Sequence, residues 1–289
     1  MKISIVICSY GGNESLTKSC IESLNLQSSL PYEIIVVLDT REEQENFNRY
    51  LCKVTTLPCN IAYTGKKGLA AARNKGIEMS NGDIIAFIDD DAIADSQWIY
   101  EIQKTFSTSK MAGVVGGPVS PIFEGNSIDE KFYWVIGCTG TTPPPSRPIG
   151  CNMAFRREIF NKIGSFNEDL GRVRKKLAVG EETDLFLRIS TLIPEFLIIF
   201  NEKAKVFHKT PDHRLTIRYF LKRSYEEGYS KSRISKIYKL KEERKFLSYY
   251  IHHPDIRTLF VVTATGMGYL MGLIHGIWSD SNKGLTYVF

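Results

Sequence analysis

Short apolar runs alternate with amphipathic stretches through the first hundred residues, and this alternation constrains the fold more than any other feature of the chain. The apolar runs predict strands at 2–8, 32–38, 59–63 and 83–88. The amphipathic stretches predict helices at 14–26, 41–51, 67–79 and 96–108. The run EIIVVL lacks polar alternation, which is typical of a strand buried on both faces of a parallel sheet. The pattern therefore predicts an α/β domain whose mostly parallel sheet is flanked by helices.

The character of the sequence changes after this region. Residues 113–150 are rich in Gly and Pro and include PPPSRP, which predicts a loop beside the active site. Further on, IGCNMAFRR predicts a strand and GEETDLFLRIS a helix, while FLIIF and AKVFH predict two strands that close the sheet. A chain of 289 residues has room for one such domain and an appendage. We place the boundaries at 1–212, 213–257 and 258–278.

A basic region precedes an apolar run near the C-terminus. Residues 201–257 hold 15 Lys and Arg against 7 Asp and Glu, which favours a surface for anionic lipid or phosphate. Nucleic acid is the other candidate partner, and a solvated helical face is the alternative without a partner. We expect no nucleic-acid partner.

The apolar run at 258–278 contains no Asp, Glu, Lys or Arg. Its 21 residues are enough to cross a hydrocarbon core of ~30 Å, so we expect a transmembrane or interfacial helix. A buried helix of the globular part is the alternative. Gly268, Gly272 and Gly276 share one face of this helix, where a second helix can approach closely and form a helix-mediated homo-oligomer.

Polar side chains follow three of the predicted strands, where open parallel sheets bind their ligands. They are Ser9 and Tyr10 after the first strand, Asp39 after the second, and Asp89, Asp90 and Asp91 after the fourth. Three carboxylates at one strand end repel each other, and a divalent cation relieves the repulsion. Hard oxygen ligands favour Mg²⁺ or Mn²⁺, which also bind substrate phosphates. FIDDDA therefore predicts a clamp for a metal and a diphosphate, or else a turn that the acids merely cap.

Several longer segments carry a resemblance to a known family. The segments are EIIVVLD, GLAAARNKGIEMSNGDIIAFIDDDA, GCNMAFRREIFNKIGSFNE and GEETD. Together they resemble the inverting glycosyltransferases of family 2, which have the GT-A fold, over about residues 1–230. The resemblance implies transfer of a sugar from a nucleotide diphosphate donor, with a UDP-sugar preferred, and Mg²⁺ or Mn²⁺ as the cofactor.

The resemblance also implies roles for individual residues. The nucleotide would contact Ser9, Tyr10, Asp39, Arg73, Asn74, Asp89 and Asp90. The metal would be held by Asp89, Asp91 and His208. Acceptor or diphosphate would meet Asn152 and Arg214. From the chemistry of arginine alone, Arg214, Arg218 and Arg223 could each serve a diphosphate or a lipid phosphate.

Inverting transfer needs a carboxylate that takes the proton of the acceptor hydroxyl. By its position in GEETD, Glu182 is expected to be this base. Glu181 and Asp184 are its rivals, and any of the three acids could instead only favour the positive end of the helix.

The stretch HKTPDHRLTIRYFLKRSYEEGYSKS resembles a prokaryotic subgroup of family 2 that builds lipid-linked or cell-surface glycans. That resemblance implies a polyprenyl-linked or other surface-glycan acceptor. Six cysteines without a CxxC pair indicate a reducing compartment, and the chain opens on a strand pattern instead of a signal peptide. We therefore expect the protein at the cytoplasmic face of the cell membrane.

Other functions fit the sequence less well. A dinucleotide oxidoreductase is disfavoured because no GxGxxG follows the first strand, and a P-loop NTPase because GxxxxGK[ST] does not occur. A sugar nucleotidyltransferase remains an alternative, although its glycine-rich basic loop is missing. A catalytically inactive, membrane-anchored binding protein with the same fold is the other alternative, and the intact acidic motifs argue against it.

Overall fold

The computed structural model describes residues 1–9, 14–39, 47, 50–51, 53–66, 68–141, 145, 147–170 and 180–282, and for 14 and 276–282 it describes the backbone only. The strands, numbered in chain order, are β1 Ile3–Ser9, β2 Glu33–Leu38, β3 Cys59–Tyr63, β4 Ile84–Asp89, β5 Ala92–Ala94, β6 Ala112–Gly116, β7 Val119–Phe123, β8 Met153–Arg156, β9 Leu197–Phe200 and β10 Val206–Thr210.

The α-helices are α1 Glu14–Asn25, α2 Leu69–Met79, α3 Trp98–Thr108, α4 Arg157–Ile163, α5 Glu181–Leu192, α6 Ile217–Ser235, α7 Lys241–His252 and α8 Ile256–Asn282. Two short 3-10 helices cover Glu130–Ile136 and Asp212–Leu215.

A seven-stranded sheet in the order β3-β2-β1-β4-β8-β6-β9 forms the centre of the molecule. Strands β3, β2, β1 and β4 are parallel, β8 is antiparallel to both β4 and β6, and β9 is parallel to β6. The predicted α/β class with a mostly parallel, helix-flanked sheet is therefore confirmed. Because β1 lies between β2 and β4, the carboxyl ends of these three strands meet at one edge.

Alternate residues of the central strands feed two hydrophobic cores. Ile3, Ile5 and Ile7 of β1 point to the core that contains residues of α1 and α3, while Val6 points to the core that contains Ala70 of α2. Full burial of such a side chain contributes about 1.5–3 kcal/mol each. Both faces of the sheet are thus covered, as the apolar run of β2 predicts.

Two predictions about secondary structure are wrong. The segment 113–150, expected to be a loop, contains β7, a 3-10 helix and most of β6, whose Val114 and Val115 are fully buried. The strands expected from FLIIF and AKVFH do not both close the main sheet. Strand β9 joins it, but β10 pairs with β5 and β7 in a separate three-stranded sheet. The helix predicted at 41–51 lies largely outside the described residues.

The C-terminal helices pack against the α/β part through a third hydrophobic cluster. Its members include Val119 of β7, Phe132, Phe220 of α6, Tyr250 of α7 and Val261 of α8. The division of the chain at 213 and 258 stays a prediction, and the cluster shows that the pieces share a core.

Helices α6 and α8 run side by side in the same direction. Gly228 of α6 lies against Thr265, and further along both helices Gly272 lies against Ser232. A Cβ on Gly228 would overlap the carbonyl oxygen of Thr265, and one on Gly268 would overlap that of Tyr225. Glycine is therefore required for the close approach of these two helices.

The glycine face of α8 was expected to receive a helix of another copy. Gly268 and Gly272 instead contact α6 of the same chain, so this face gives no support to a homo-oligomer. The segment Ile256–His275 is long and apolar enough to cross a membrane, with a mean hydropathy of 1.4 and 28% of it buried.

Alanine substitutions at two neighbouring glycines of α8 should have opposite effects on stability. A methyl group added at Gly266 would meet no atom within 4 Å, so Gly266→Ala should raise the free energy of unfolding by up to about 1 kcal/mol through helix propensity. Gly268→Ala should lower it by about 1–3 kcal/mol, because the added methyl group forces α6 and α8 apart. Denaturant unfolding in a nonionic detergent measures the free energy of unfolding of both variants. A stabilising effect of Gly268→Ala would contradict the packing described.

Candidate functional site

One cleft lies at the edge of the main sheet where β1, β2 and β4 end. Its volume is about 1060 Å³, and Ser9, Asp39, Asp89, Asp90 and Asp91 line it. These residues are the ones expected from the strand ends, apart from Tyr10, which lies outside the described residues. The order of the strands brings them together, because β1 pairs with β2 on one side and with β4 on the other.

Asp90 has a raised pKa. Burial, together with the charges of Asp91 and Asp89, raises its pKa to about 7. The Ser9 hydroxyl donates a hydrogen bond of 2.6 Å to Asp90 Oδ2 and opposes this rise. Burial is the main cause of the shift, and the two neighbouring carboxylates add to it.

Asp91 lies beside two basic side chains. His208 Nε2 is 3.2 Å from Asp91 Oδ1, and Arg214 Nη2 is 3.4 Å from Oδ2. Burial alone would raise the pKa of Asp91, but the hydrogen bond from His208 and the charges of both bases outweigh it and lower the pKa. Burial alone would lower the pKa of His208, because it disfavours the charged imidazolium, but the hydrogen bond to Asp91 raises this pKa to about 10.

The second sheet explains how His208 reaches this acid. Strand β5 follows Asp91 directly, and it pairs with β10 so that His208 lies opposite Ala92. The backbone carbonyl of Asp91 also accepts a hydrogen bond of 2.9 Å from the N–H of Lys209. The turn that carries the acids is thus fixed to the strand that carries the histidine.

The donor set of this corner fits a hard divalent cation. Ligand atoms of Asp89, Asp91 and His208 lie within 4.8 Å of one another. Within the described part of the chain, the buried His208 Nδ1 has no hydrogen bond of normal geometry, although the Cys138 thiol lies beside the ring and helps to raise its pKa. Two carboxylate oxygens and an imidazole nitrogen are ligands that Mg²⁺ or Mn²⁺ accepts.

A buried arginine is also among the residues that line the cleft. Arg73 of α2 is 1% exposed, and its Nη1 lies 3.0 Å from Glu181 Oε1 and 3.0 Å from Glu182 Oε1. Burial lowers the pKa of Arg73, but the charges of Glu182 and Glu181 raise it above its ordinary value. Arg73 lines the cleft as expected, and its charge is shared between these two glutamates.

The candidate bases differ in their surroundings. Glu182 has 26% of its side chain exposed, and its Oε2 accepts a hydrogen bond of 3.1 Å from the Gly150 N–H. The side chain of Glu181 is only 5% exposed, and its Oε2 accepts a bond from the Gly180 N–H. Both glutamates line the cleft, and Glu182 has the more accessible carboxylate.

Three residues expected in the site do not line the cleft. Asp184 is paired with Arg188 at 2.9 Å and lies outside the residues that line the cleft. Asn152 is fully buried, and its amide bonds to Trp98, Pro118 and Ala204 leave it no group for an acceptor or a diphosphate.

Asn74 is the third of these residues. Its amide exchanges hydrogen bonds with the backbone of Phe166 and donates another to Glu168. Asn74 therefore anchors the 166–168 loop and does not line the cleft.

The cleft also contains residues that the motifs do not single out. They include Thr64, Lys66, Gly137 and Glu227. The basic, glycine-containing segment before α2 was an available signal for Lys66. Glu227 carries no such signal, because its place depends on how α6 packs beside the cleft. Arg218, another expected phosphate ligand, is exposed and lies outside the cleft lining, whereas Arg214 and Arg223 are part of it.

Comparisons with known proteins agree with this geometry. The family model described as Glycosyl transferase family 2 matches residues 4–164. The glucosyl-dolichyl phosphate glucuronosyltransferase of Haloferax volcanii is 30% identical to this chain, over 95% of the chain and 97% of that protein. The succinoglycan biosynthesis protein ExoM of Rhizobium meliloti is 26% identical, over 81% of the chain and 75% of that protein.

A solved structure shows the same fold. The chain is similar to the mannosyltransferase PcManGT of Pyrobaculum calidifontis, solved with GDP-Man and Mn²⁺, with a TM-score of 0.63. The two proteins share 15% identity, and the match covers 99% of this chain and 76% of that one. The likeness supports the GT-A type of the α/β fold.

Proposed function

This chain belongs to glycosyl transferase family 2, and from that premise we propose that it is an inverting, metal-dependent enzyme that moves a sugar from a UDP-sugar to a polyprenyl-linked or surface-glycan acceptor. One observation carries the proposal. A single cleft contains Asp39, an Asp-Asp-His cluster and the Arg73-held glutamates. Donor, metal and base sites of such a reaction are thus within reach of one another.

The metal would be held by Asp89, Asp91 and His208. When bound, Mg²⁺ or Mn²⁺ supplies positive charge that stabilises the departing nucleoside diphosphate. Arg214 adds a fixed cation beside Asp91, and an arginine binds phosphate oxygens through parallel hydrogen bonds. Ser9 orients Asp90 through its hydroxyl. Asp39, at the end of β2, is assigned to the nucleotide base, and together with Arg73 it is our reason for preferring UDP.

Glu182 is assigned as the general base. The acceptor oxygen attacks the anomeric carbon, its proton passes to the Glu182 carboxylate, and the bond from that carbon to the diphosphate breaks with inversion. Arg73 and the Gly150 N–H hold one oxygen each of this carboxylate, so its orientation is fixed before the substrates bind. Glu181 also pairs with Arg73 and shares its charge with Glu182.

The acceptor class rests on similarity along the whole chain. The relative from Haloferax volcanii is named for a dolichyl phosphate-linked substrate, and its similarity extends over 95% of this chain and thus into the C-terminal helices. A polyprenyl-linked acceptor is presented at a membrane surface. The basic region and the apolar helix α8 suit that location, and we assign it to the cytoplasmic face.

We further propose that α8 lies along the membrane surface and does not cross it. It packs along α6, whose Arg218, Lys222 and Glu226 would have to enter the hydrocarbon with a spanning α8. The face of α8 turned away from α6 is apolar and exposed, as in Leu259 and Leu270, each 61% exposed. Such an amphipathic placement is typical of interfacial helices.

Removal of an expected metal ligand should abolish donor binding. A UDP-sugar at one hundred times its dissociation constant should raise the melting temperature by about 5 °C with Mn²⁺ present and by nothing after chelation. Asp91→Ala should lose this shift. Asp83→Ala is the matched control, because Asp83 precedes the opposite end of β4 and is exposed. A metal-independent shift, or one that survives in Asp91→Ala, would refute the metal site.

Substitution of Glu182 and of Glu181 should lower kcat to different extents. Glu182→Gln should lower kcat by about 10²–10⁴ and leave the KM for the donor within about twofold, because only proton transfer is lost. Glu181→Gln should lower kcat less, since its carboxylate is buried and bonded to the Gly180 N–H. Release of UDP with saturating acceptor measures both rates. A larger loss in Glu181→Gln would transfer the base role to that residue.

The side of the membrane on which the chain ends tests the orientation of α8. With sealed inside-out vesicles, protease should remove a C-terminal epitope as readily as an N-terminal one, because an interfacial α8 leaves both ends on the cytoplasmic side. The N-terminal epitope is the internal control for access. Protection of the C-terminal epitope alone would mean that α8 spans the bilayer.

A further inference from the structure

Helix α6 contributes a charged wall to the cleft. Arg223, Glu227 and Lys231 recur at every fourth position, so they share one face of α6. Arg223 and Glu227 line the cleft, and Lys231 donates a hydrogen bond of 2.6 Å to Thr183, the residue after Glu182. This face of α6 therefore borders the start of α5, where the candidate base is.

The described charges of this wall do not balance. Its members are Arg147, Arg223, Lys231, Glu227 and Glu243. Arg147 lies 2.8 Å from Glu243, and Lys231 lies 3.3 Å from Glu227 and 3.6 Å from Glu243. Arg223 also lies 3.3 Å from Glu227, so three cations share two carboxylates and the described wall carries one positive charge in excess.

Arg223 also has an unsatisfied donor. Its Nη2 lies 3.3 Å from Glu227, but its Nη1 is buried and has no hydrogen-bond partner among the described residues. The side chain is only 17% exposed. A buried guanidinium N–H without a partner costs free energy, and an anionic oxygen entering the cleft would supply the missing acceptor.

We infer that Arg223 binds the phosphate of a lipid-phosphate acceptor, an assignment that rests on the proposed glycosyl transfer. Two phosphates could enter this cleft, that of the donor and that of the acceptor. The proposed donor end is the corner of Asp91 and His208, where Arg214 already provides an arginine. Arg223 instead belongs to the face of α6 that borders Thr183 and the base, which is the side from which the acceptor hydroxyl attacks.

The same helix links this site to the membrane-facing surface. Phe220, one turn before Arg223, shares a hydrophobic cluster with Val261 of α8. A lipid whose apolar chain rests near α8 can therefore place its phosphate beside α6. The acceptor class that fits is one in which a phosphate and a sugar hydroxyl together bridge Arg223 and Glu182.

Binding of a short lipid phosphate tests the inference without catalysis. Farnesyl phosphate and farnesol are titrated by calorimetry into the full-length protein in nonionic detergent, with saturating UDP and Mn²⁺ so that the donor site is filled. Arg223→Gln should weaken farnesyl phosphate binding at least tenfold and leave farnesol within twofold of the wild type. Arg223→Lys should recover part of the loss, because it keeps the charge but not the paired donors.

Lys222→Gln is the matched control. Lys222 is the neighbouring residue, carries the same charge and has 71% of its side chain exposed, so its loss should change neither affinity. If Lys222→Gln weakened farnesyl phosphate binding as much as Arg223→Gln does, the loss would come from the total positive charge of α6 and not from a site at Arg223, which would contradict the inference. Melting temperatures of the variants within about 2 °C of the wild type would show that the fold is kept.

Three further results would overturn the inference. They are equal binding of farnesyl phosphate and farnesol by the wild type, undiminished farnesyl phosphate binding in Arg223→Gln, and a loss in that variant of UDP affinity instead, which would place the donor diphosphate at Arg223. Failure of the proposed function is separable. If the wild type binds no UDP, the same titration of farnesyl phosphate without nucleotide still reports on Arg223.

Discussion

Crowding of negative charge at the carboxyl end of β4 is the constraint around which the site is organised. Three successive carboxylates lie in a partly buried part of the cleft, and burial, with the charges of Asp91 and Asp89 adding to it, raises the pKa of Asp90. The Ser9 hydroxyl donates a hydrogen bond to Asp90, and the basic side chains of His208 and Arg214 pair with Asp91. The small second sheet has a clear role in this, since pairing of β5 with β10 brings the histidine to the acids. A bound divalent cation would take over the compensation that the protonated imidazole now provides.

Most of the main sheet could be predicted from the sequence because its strands are continuous apolar runs. β1, β2, β3 and β4 lie within about a residue of their expected bounds. Strands β6 and β7 were missed, since Gly113, Gly116 and Pro121 resemble the composition of a loop. The partner of β10 could not be predicted either. The sequence of β10 predicts a half-buried strand, but which sheet this strand joins depends on the position of β5 in the folded chain.

The candidate site, too, could be predicted from the sequence only in part. The acids after β4 and the residue after β2 follow from strand ends, and the topology brings them into one cleft. Directions of side chains do not follow from a motif. Asn74 is adjacent to Arg73 on α2, yet the two side chains leave the helix in different directions, one to the 166–168 loop and the other to the cleft. Asn152 shows the same limit, because its amide joins β8 to Trp98 in the interior.

The glycine contacts between α6 and α8 bear on how such an enzyme could be shortened for crystallisation. An apolar C-terminal segment invites truncation as if it were a dispensable tether. Removing α8 would uncover Gly228 and the buried serines of α6, among them Ser224 and Ser232, and leave that helix without its longest neighbour. Since α6 also supplies Arg223 and Glu227 to the cleft, a fragment ending before 256 would lose an element that supports one wall of this cleft.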